Sequence, residues 1–130
     1  MSLSEDQQKK YLLSKISEPI HFKYPEPPDK KGILLDRFIV KDRETNDKDV
    51  IYWNLIDLIK FEDEKENLII VTYYRYRKRQ KRKWVFAGQT AFSDPISSFE
   101  ELFVKAIKEK EWIKPLFREV YERCSNELSL

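Results

Sequence analysis

An α+β domain built on an antiparallel sheet is the fold class that this sequence predicts, and three observations lead to it. Between residues 33 and 90 come several runs rich in Val, Ile, Leu and aromatic residues, joined by polar turns too short for the crossovers of a parallel sheet. Residues 97–128 instead place apolar side chains at helical spacing. The 130 residues are 41% hydrophobic, with eight Phe, seven Tyr and three Trp, enough bulky apolar area for one core despite 37% charged residues.

The elements follow in order as one domain. In residues 1–17 a polar, partly frayed start leads into a helix whose N-terminus is marked by Ser4 and Gln7 at capping-box spacing, with Tyr11, Leu12 and Ile16 as its stripe. Residues 18–31 form a proline-rich arm, because Pro19, Pro25, Pro27 and Pro28 fix φ and remove donors, leaving room for a short edge strand at 20–24. The sheet occupies 32–92. Residues 33–40 and 50–53 read as strands, with a bend near Asn54 before a run at 55–61 whose spacing fits helix and strand equally. An acidic turn over 62–67 precedes the clearest strand, 68–77, with Leu68, Ile70, Thr72, Tyr74 and Tyr76 on one face and Ile69, Val71, Tyr73, Arg75 and Arg77 on the other. Residues 78–83 turn the chain and 84–90 return as its antiparallel partner. Two helices within 97–128 close the domain. Ser97 with Glu100, or Ser98 with Glu101, would cap the first, and Pro115 suits the first turn of the second.

The order of these elements resembles the pleckstrin-homology-like superfold in its bacterial versions. Residues 33–40 stand as a strand, and Val50-Ile51-Tyr52-Trp53-Asn54-Leu55-Ile56-Asp57-Leu58-Ile59 stands where such domains place an aromatic residue followed shortly by an isoleucine in a bent strand. The hairpin and the helix from Ser98 would complete a half-barrel and its cap, so that the resemblance spans roughly residues 20–110. It implies a curled antiparallel sheet with a short N-terminal helix and two C-terminal helices. It also implies a non-enzymatic binding module for lipid headgroups, peptides or partner proteins. The sequence departs from the superfold in yielding only five or six strands and in adding a second C-terminal helix, and no binding residue transfers position by position.

Charge and composition narrow the chemistry. Twenty-five Lys and Arg against 23 Asp and Glu leave a net charge of +2, so any electrostatic function is local. A single cysteine, Cys124, precludes an internal disulfide, and without an apolar leader or spanning segment a cytoplasmic setting is expected. Two glycines make no phosphate-binding loop, and no cofactor or metal is implied. His21, the only histidine, lies in the arm without ligand neighbours, and Cys124 reads as a small apolar residue on its helix. The acids Asp57, Glu62, Asp63, Glu64 and Glu66 read as a solvated turn rather than a catalytic pair.

The β-hairpin stands apart. Arg75, Arg77, Lys78, Arg79, Lys81, Arg82 and Lys83 place seven cations in nine residues, flanked by Tyr73, Tyr74, Tyr76 and Trp84. Such density has an electrostatic cost of about 1 kcal/mol per close pair in water, which an anionic partner relieves. Arginine forks bind phosphate, and Tyr73, Tyr76 and Trp84 could stack on bases or sit at a lipid surface. Three readings follow: a module contacting a nucleic acid or lipid headgroup through these residues; a protein-interaction or homodimerisation domain whose hairpin is only a solvated tip; or a dedicated nucleic-acid-binding protein, against which the near-neutral charge counts.

Overall fold

The computed structural model describes residues 2–22, 30–42, 47–86 and 95–129, with the backbone alone at 21, 22 and 30. The chain divides into two compact units, Met1–Asp94 and Pro95–Leu130. The fold class is α+β: the described residues form a curled, five-stranded antiparallel sheet, one N-terminal helix and two C-terminal helices.

The first unit opens with helix α1 (Glu5–Leu13). Its capping box forms: the Ser4 hydroxyl accepts from the Gln7 N–H at 3.2 Å, and the Ser4 N–H donates to Gln7 Oε1 at 2.8 Å. The helix ends sooner than its expected reach to Ile16. Ser17 adopts φ 74°, the left-handed region, and donates its N–H to the Leu34 carbonyl at 2.6 Å, swinging the chain into the sheet.

Strands β1 (Pro19–Phe22), β2 (Lys30–Lys41), β3 (Val50–Phe61), β4 (Leu68–Arg77) and β5 (Trp84–Phe86) pair as a simple meander in chain order. Pro19 begins an edge strand, where a missing donor is tolerated. Between Leu34 and Asp36 a bulge at Leu35 exchanges the faces of β2. Leu34 lies opposite Ile59, but beyond the bulge Arg37 lies opposite Asp57 and Ile39 opposite Leu55 on that same face. The bend expected at Asn54 is absent. β3 runs unbroken because, as a central strand, it pairs along both edges and carries apolar residues on both faces, which outweighs the helical spacing of 55–61.

Helix α1 covers one face of the sheet. There Leu12 packs with Ile39, Ile51, Trp53, Leu55 and Tyr76, and a second cluster gathers Leu34, Ile59 and Phe61 beneath Ile16 and Ile20. On the opposite face Phe38, Asn54 and Ile56 are also buried. The first residues, read from the sequence as polar and frayed, are tied to the sheet. Leu3 donates its N–H to the Tyr76 hydroxyl at 2.7 Å, and buried Gln8 bridges the Leu3 carbonyl (3.0 Å) and the Trp53 indole N–H (2.8 Å).

In the second unit, helix α2 (Ile96–Glu109) buries Leu102 and Ala106. Neither expected capping box forms there. Pro95 occupies the N-cap position with no side-chain cap, so Ser97 and Ser98 both lie inside the helix. Lys110 is extended, and a 3-10 turn (Glu111–Ile113) leads into helix α3 (Lys114–Leu128), with Pro115 in its first turn. Phe103 of α2 meets Phe117 of α3 at a ring separation of 5.4 Å. Cys124 breaks the α3 dihedrals with φ −120° and ψ 18°, and α3 buries no residue.

Candidate anion-binding hairpin

Alternation along β4 decides which hairpin residues a partner can meet. Tyr74 and Tyr76 lie on the face covered by α1, opposite Trp53 and Ile51 on one side and Phe86 and Trp84 on the other. Tyr76 is 0% exposed, and its ring meets the edge of Trp84 at 4.8 Å. Trp84 in turn stacks on Tyr11 at 5.1 Å with an 18° tilt. Two of the three aromatics singled out for contact, Tyr76 and Trp84, therefore face the interior and help to hold α1.

Tyr73 lies on the other face. Its ring is 5.9 Å from that of Tyr52 on β3, tilted by 47°. Arg75 is the cross-strand neighbour of both Tyr52 and Val85, so this face of the hairpin base carries two half-buried tyrosines and a half-buried arginine. The buried Nε of Arg75 makes no hydrogen bond among the described residues.

The tip divides its cations between two tasks. No glycine eases the reversal at 78–83, and the chain stabilises it with its own side chains. The Arg77 guanidinium donates twice to the Arg82 carbonyl, at 3.1 and 2.6 Å, while the Arg77 N–H donates to the Lys83 carbonyl at 2.7 Å. The Lys83 ammonium donates to the Lys78 carbonyl at 2.6 Å, which also accepts from the Ser2 hydroxyl at 2.9 Å. The Lys78 N–H donates to the Asp49 carbonyl at 2.8 Å, joining the tip to the turn before β3. Arg77 and Lys83 thus serve the fold. Arg79 approaches Asp49 at 3.3 Å, but its side chain is 82% exposed, so the pair contributes little. Lys81 and Arg82 are exposed, and Lys78 is half-buried.

The other candidates for chemistry lie elsewhere. Asp57 is buried against Arg37, whose Nε and second terminal nitrogen reach its two carboxylate oxygens at 2.8 and 2.9 Å. Glu62, Asp63 and Glu66 are exposed in the turn after β3, and Glu64 is half-buried there. His21 lies in β1 opposite Lys31, and Cys124 is half-buried at the α3 kink. Among the described residues no group of three or more His, Cys, Asp or Glu side chains could hold a metal ion, and no helix is long and apolar enough to cross a membrane.

Sequence reasoning missed Tyr52, Asp49 and Ser2. Each joins the hairpin only through strand register or the docking of the N-terminus, for which a single sequence carries no local signal. No family model, curated protein or solved structure matches this chain.

Proposed function

We propose that this chain is a non-enzymatic binding domain that engages an anionic partner through the tip of its β4–β5 hairpin. One observation supports this reading above others: Arg77 and Lys83 hold the tip in a fixed shape by bonding its carbonyls, and that shape leaves Arg79, Lys81 and Arg82 in solvent. A loop charged only for solubility has no need of such ordering, whereas a fixed display of cations limits the entropy lost on binding. The same reading keeps the pleckstrin-homology-like resemblance as a proposal, together with a cytoplasmic setting suited to the free Cys124. Heparin affinity measured against salt tests it. Binding should weaken steeply as salt rises, and Arg79→Ala, Lys81→Ala and Arg82→Ala together should abolish it without lowering the thermal midpoint. Unchanged retention of that triple variant would refute the reading.

A second reading rests on α3, where Leu116, Val120, Tyr121 and Leu128 are 45–64% exposed although the helix is amphipathic. Such a face suits a protein-interaction or homodimer surface. Light scattering across a concentration series separates the two. A monomer at all concentrations leaves the hairpin as the better supported contact.

A further inference from the structure

Resting on the anion reading above, we propose that the partner is double-stranded DNA, whose major groove takes the hairpin tip while Arg79, Lys81 and Arg82 contact the phosphates on either side. Three features favour this ligand over other polyanions. First, the tip offers only polar and cationic groups. Residues 78–83 read Lys-Arg-Gln-Lys-Arg-Lys, and the four from Arg79 to Arg82 are all exposed. Protein interfaces centre on apolar and aromatic side chains, and membrane attachment that endures needs an apolar anchor beside the charge. Interfaces with DNA are polar and strongly positive, and Arg and Gln are side chains suited to base edges in the major groove. Second, the hairpin has no open ring at its tip. Binding of single strands without regard to sequence relies on aromatic rings that stack with unpaired bases. No aromatic residue lies within 78–83, Tyr76 and Trp84 pack beneath α1, and Tyr52 and Tyr73 lie on a face where Phe38, Asn54 and Ile56 are buried. A duplex keeps its bases stacked on one another and asks for no such ring. Third, shape and charge layout both suit a duplex. The Arg77 N–H to Lys83 carbonyl bond closes the ladder, so the tip is the end of a two-stranded ribbon. The major groove of B-form DNA, about 12 Å wide, admits such a ribbon, whereas the minor groove, about 6 Å wide, does so only if deformed. The turn at the other end of β4 carries Glu62, Asp63, Glu64 and Glu66 against Lys65 alone. The ten residues of β4 hold these two turns roughly 30 Å apart. The net charge of +2 therefore conceals a field directed along the sheet, which turns the basic tip toward a polyanion and the acidic turn away.

The test measures fluorescence anisotropy on the full chain with a labelled DNA duplex of about 20 base pairs, two helical turns. The same strand unpaired, an RNA duplex of the same sequence, polyglutamate, and phosphatidylcholine vesicles containing phosphatidylserine serve as comparisons. The DNA duplex should bind more tightly than its single strand, and more tightly than the RNA duplex, whose major groove is too deep and narrow to be entered. Three phosphate contacts set a log-log salt slope of about −3, and Lys81→Ala should reduce it by about 1. Methyl green, which occupies the major groove, should displace the protein, and netropsin, which occupies the minor groove, should not. Replacing Arg79, Lys81 and Arg82 by Ala should abolish duplex binding. A single strand or an RNA duplex bound as tightly as the DNA duplex, or displacement by netropsin and not by methyl green, overturns the inference and leaves the anion reading standing. Vesicles or polyglutamate bound while the duplex is not overturn it in favour of a lipid headgroup or an acidic protein. If no polyanion binds, both readings fall. Should the triple variant disturb the fold, the comparison of probes on the unaltered chain still decides the matter.

Discussion

Arg37 and Asp57 face each other at one register position of β2 and β3 and meet through two parallel hydrogen bonds of 2.8 and 2.9 Å, buried beneath α1. The pair lies between the two apolar clusters of the sheet, with Leu34 and Ile59 to one side and Ile39 and Leu55 to the other. Arg37 also donates to the Leu12 carbonyl at 2.9 Å, satisfying an acceptor in the last turn of α1, and its guanidinium lies 5.7 Å from the Tyr74 ring. One side chain therefore joins β2, β3, β4 and the N-terminal helix.

Removing one partner should cost far more than removing both. Arg37→Met leaves a buried carboxylate without its counter-ion and frees the end of α1, a loss of about 3–5 kcal/mol, whereas Arg37→Met with Asp57→Leu replaces two desolvated charges by apolar groups and should recover most of it. Urea unfolding of the single and double variants measures the difference. Equal losses in the two would mean that the ion pair is not the connection that matters.

The same pair sets a pH dependence. Burial pushes the Asp57 carboxyl above its ordinary value, and Arg37 opposes this only in part. Burial also works against the Arg37 charge, but Asp57 outweighs it, so Arg37 stays cationic. Because the folded state holds the Asp57 proton more tightly than the unfolded state does, this group's contribution is complete below the ordinary carboxylate range. It is lost as pH rises through the raised value. The stability gap between the natural chain and Asp57→Asn should accordingly be wider near pH 4 than near pH 7, to within about half a unit of each. A gap that widens toward neutral pH would reverse the assigned direction.

Gln8 carries the second buried polar contact between α1 and the sheet. Gln8→Leu should cost about 1–3 kcal/mol, because the Trp53 indole N–H and the Leu3 carbonyl both lose their partner while staying covered. Pairing it with Trp53→Phe removes the orphaned donor and should recover part of the loss. Additive losses in the double-mutant cycle would show that the two side chains do not act through this bond.

Legibility in the sequence followed how local each signal was. The capping box at Ser4 and Gln7, the alternation of β4 and the helical stripes of α2 were readable because their periods lie within a few residues. The unbroken β3 was not, since its continuity comes from neighbours on both edges rather than from residues 50–61 themselves. The Leu35 bulge was equally hidden, and with it the meeting of Arg37 and Asp57, because one extra residue changes the face of everything after it. At the hairpin, the charge of the tip could be read directly. Which aromatics turn toward α1 needed the docking of that helix, and so Tyr76 and Trp84 pack beneath it while Tyr52 and Tyr73 lie on the opposite face of the sheet.

Gly32 shows how closely strands can approach where no side chain intervenes. A Cβ there would meet the Lys60 carbonyl oxygen at 2.6 Å and Phe61 Cδ1 at 2.9 Å, and the first of these is backbone that cannot swing aside. Gly32→Ala should thus destabilise by about 1–3 kcal/mol, read from the urea midpoint, even though alanine is otherwise the better-ordered residue in a strand. Gly32→Ala at no cost would mean that β2 and β3 separate more easily at this end than their register implies.

The division of labour at the hairpin tip makes a prediction that separates stability from binding. Arg77→Ala removes both hydrogen bonds to the Arg82 carbonyl and should lower stability by about 1 kcal/mol, with a parallel loss of polyanion affinity as the tip loses its shape. Arg82→Ala removes only the exposed side chain, leaves its carbonyl in place, and should change stability by no more than about 0.5 kcal/mol while still weakening polyanion binding. Lys81→Ala should behave as Arg82→Ala does. Thermal unfolding and heparin retention, measured on the same three variants, distinguish a fixed display of cations from a solvated loop, in which all three would alter retention equally and none would alter stability.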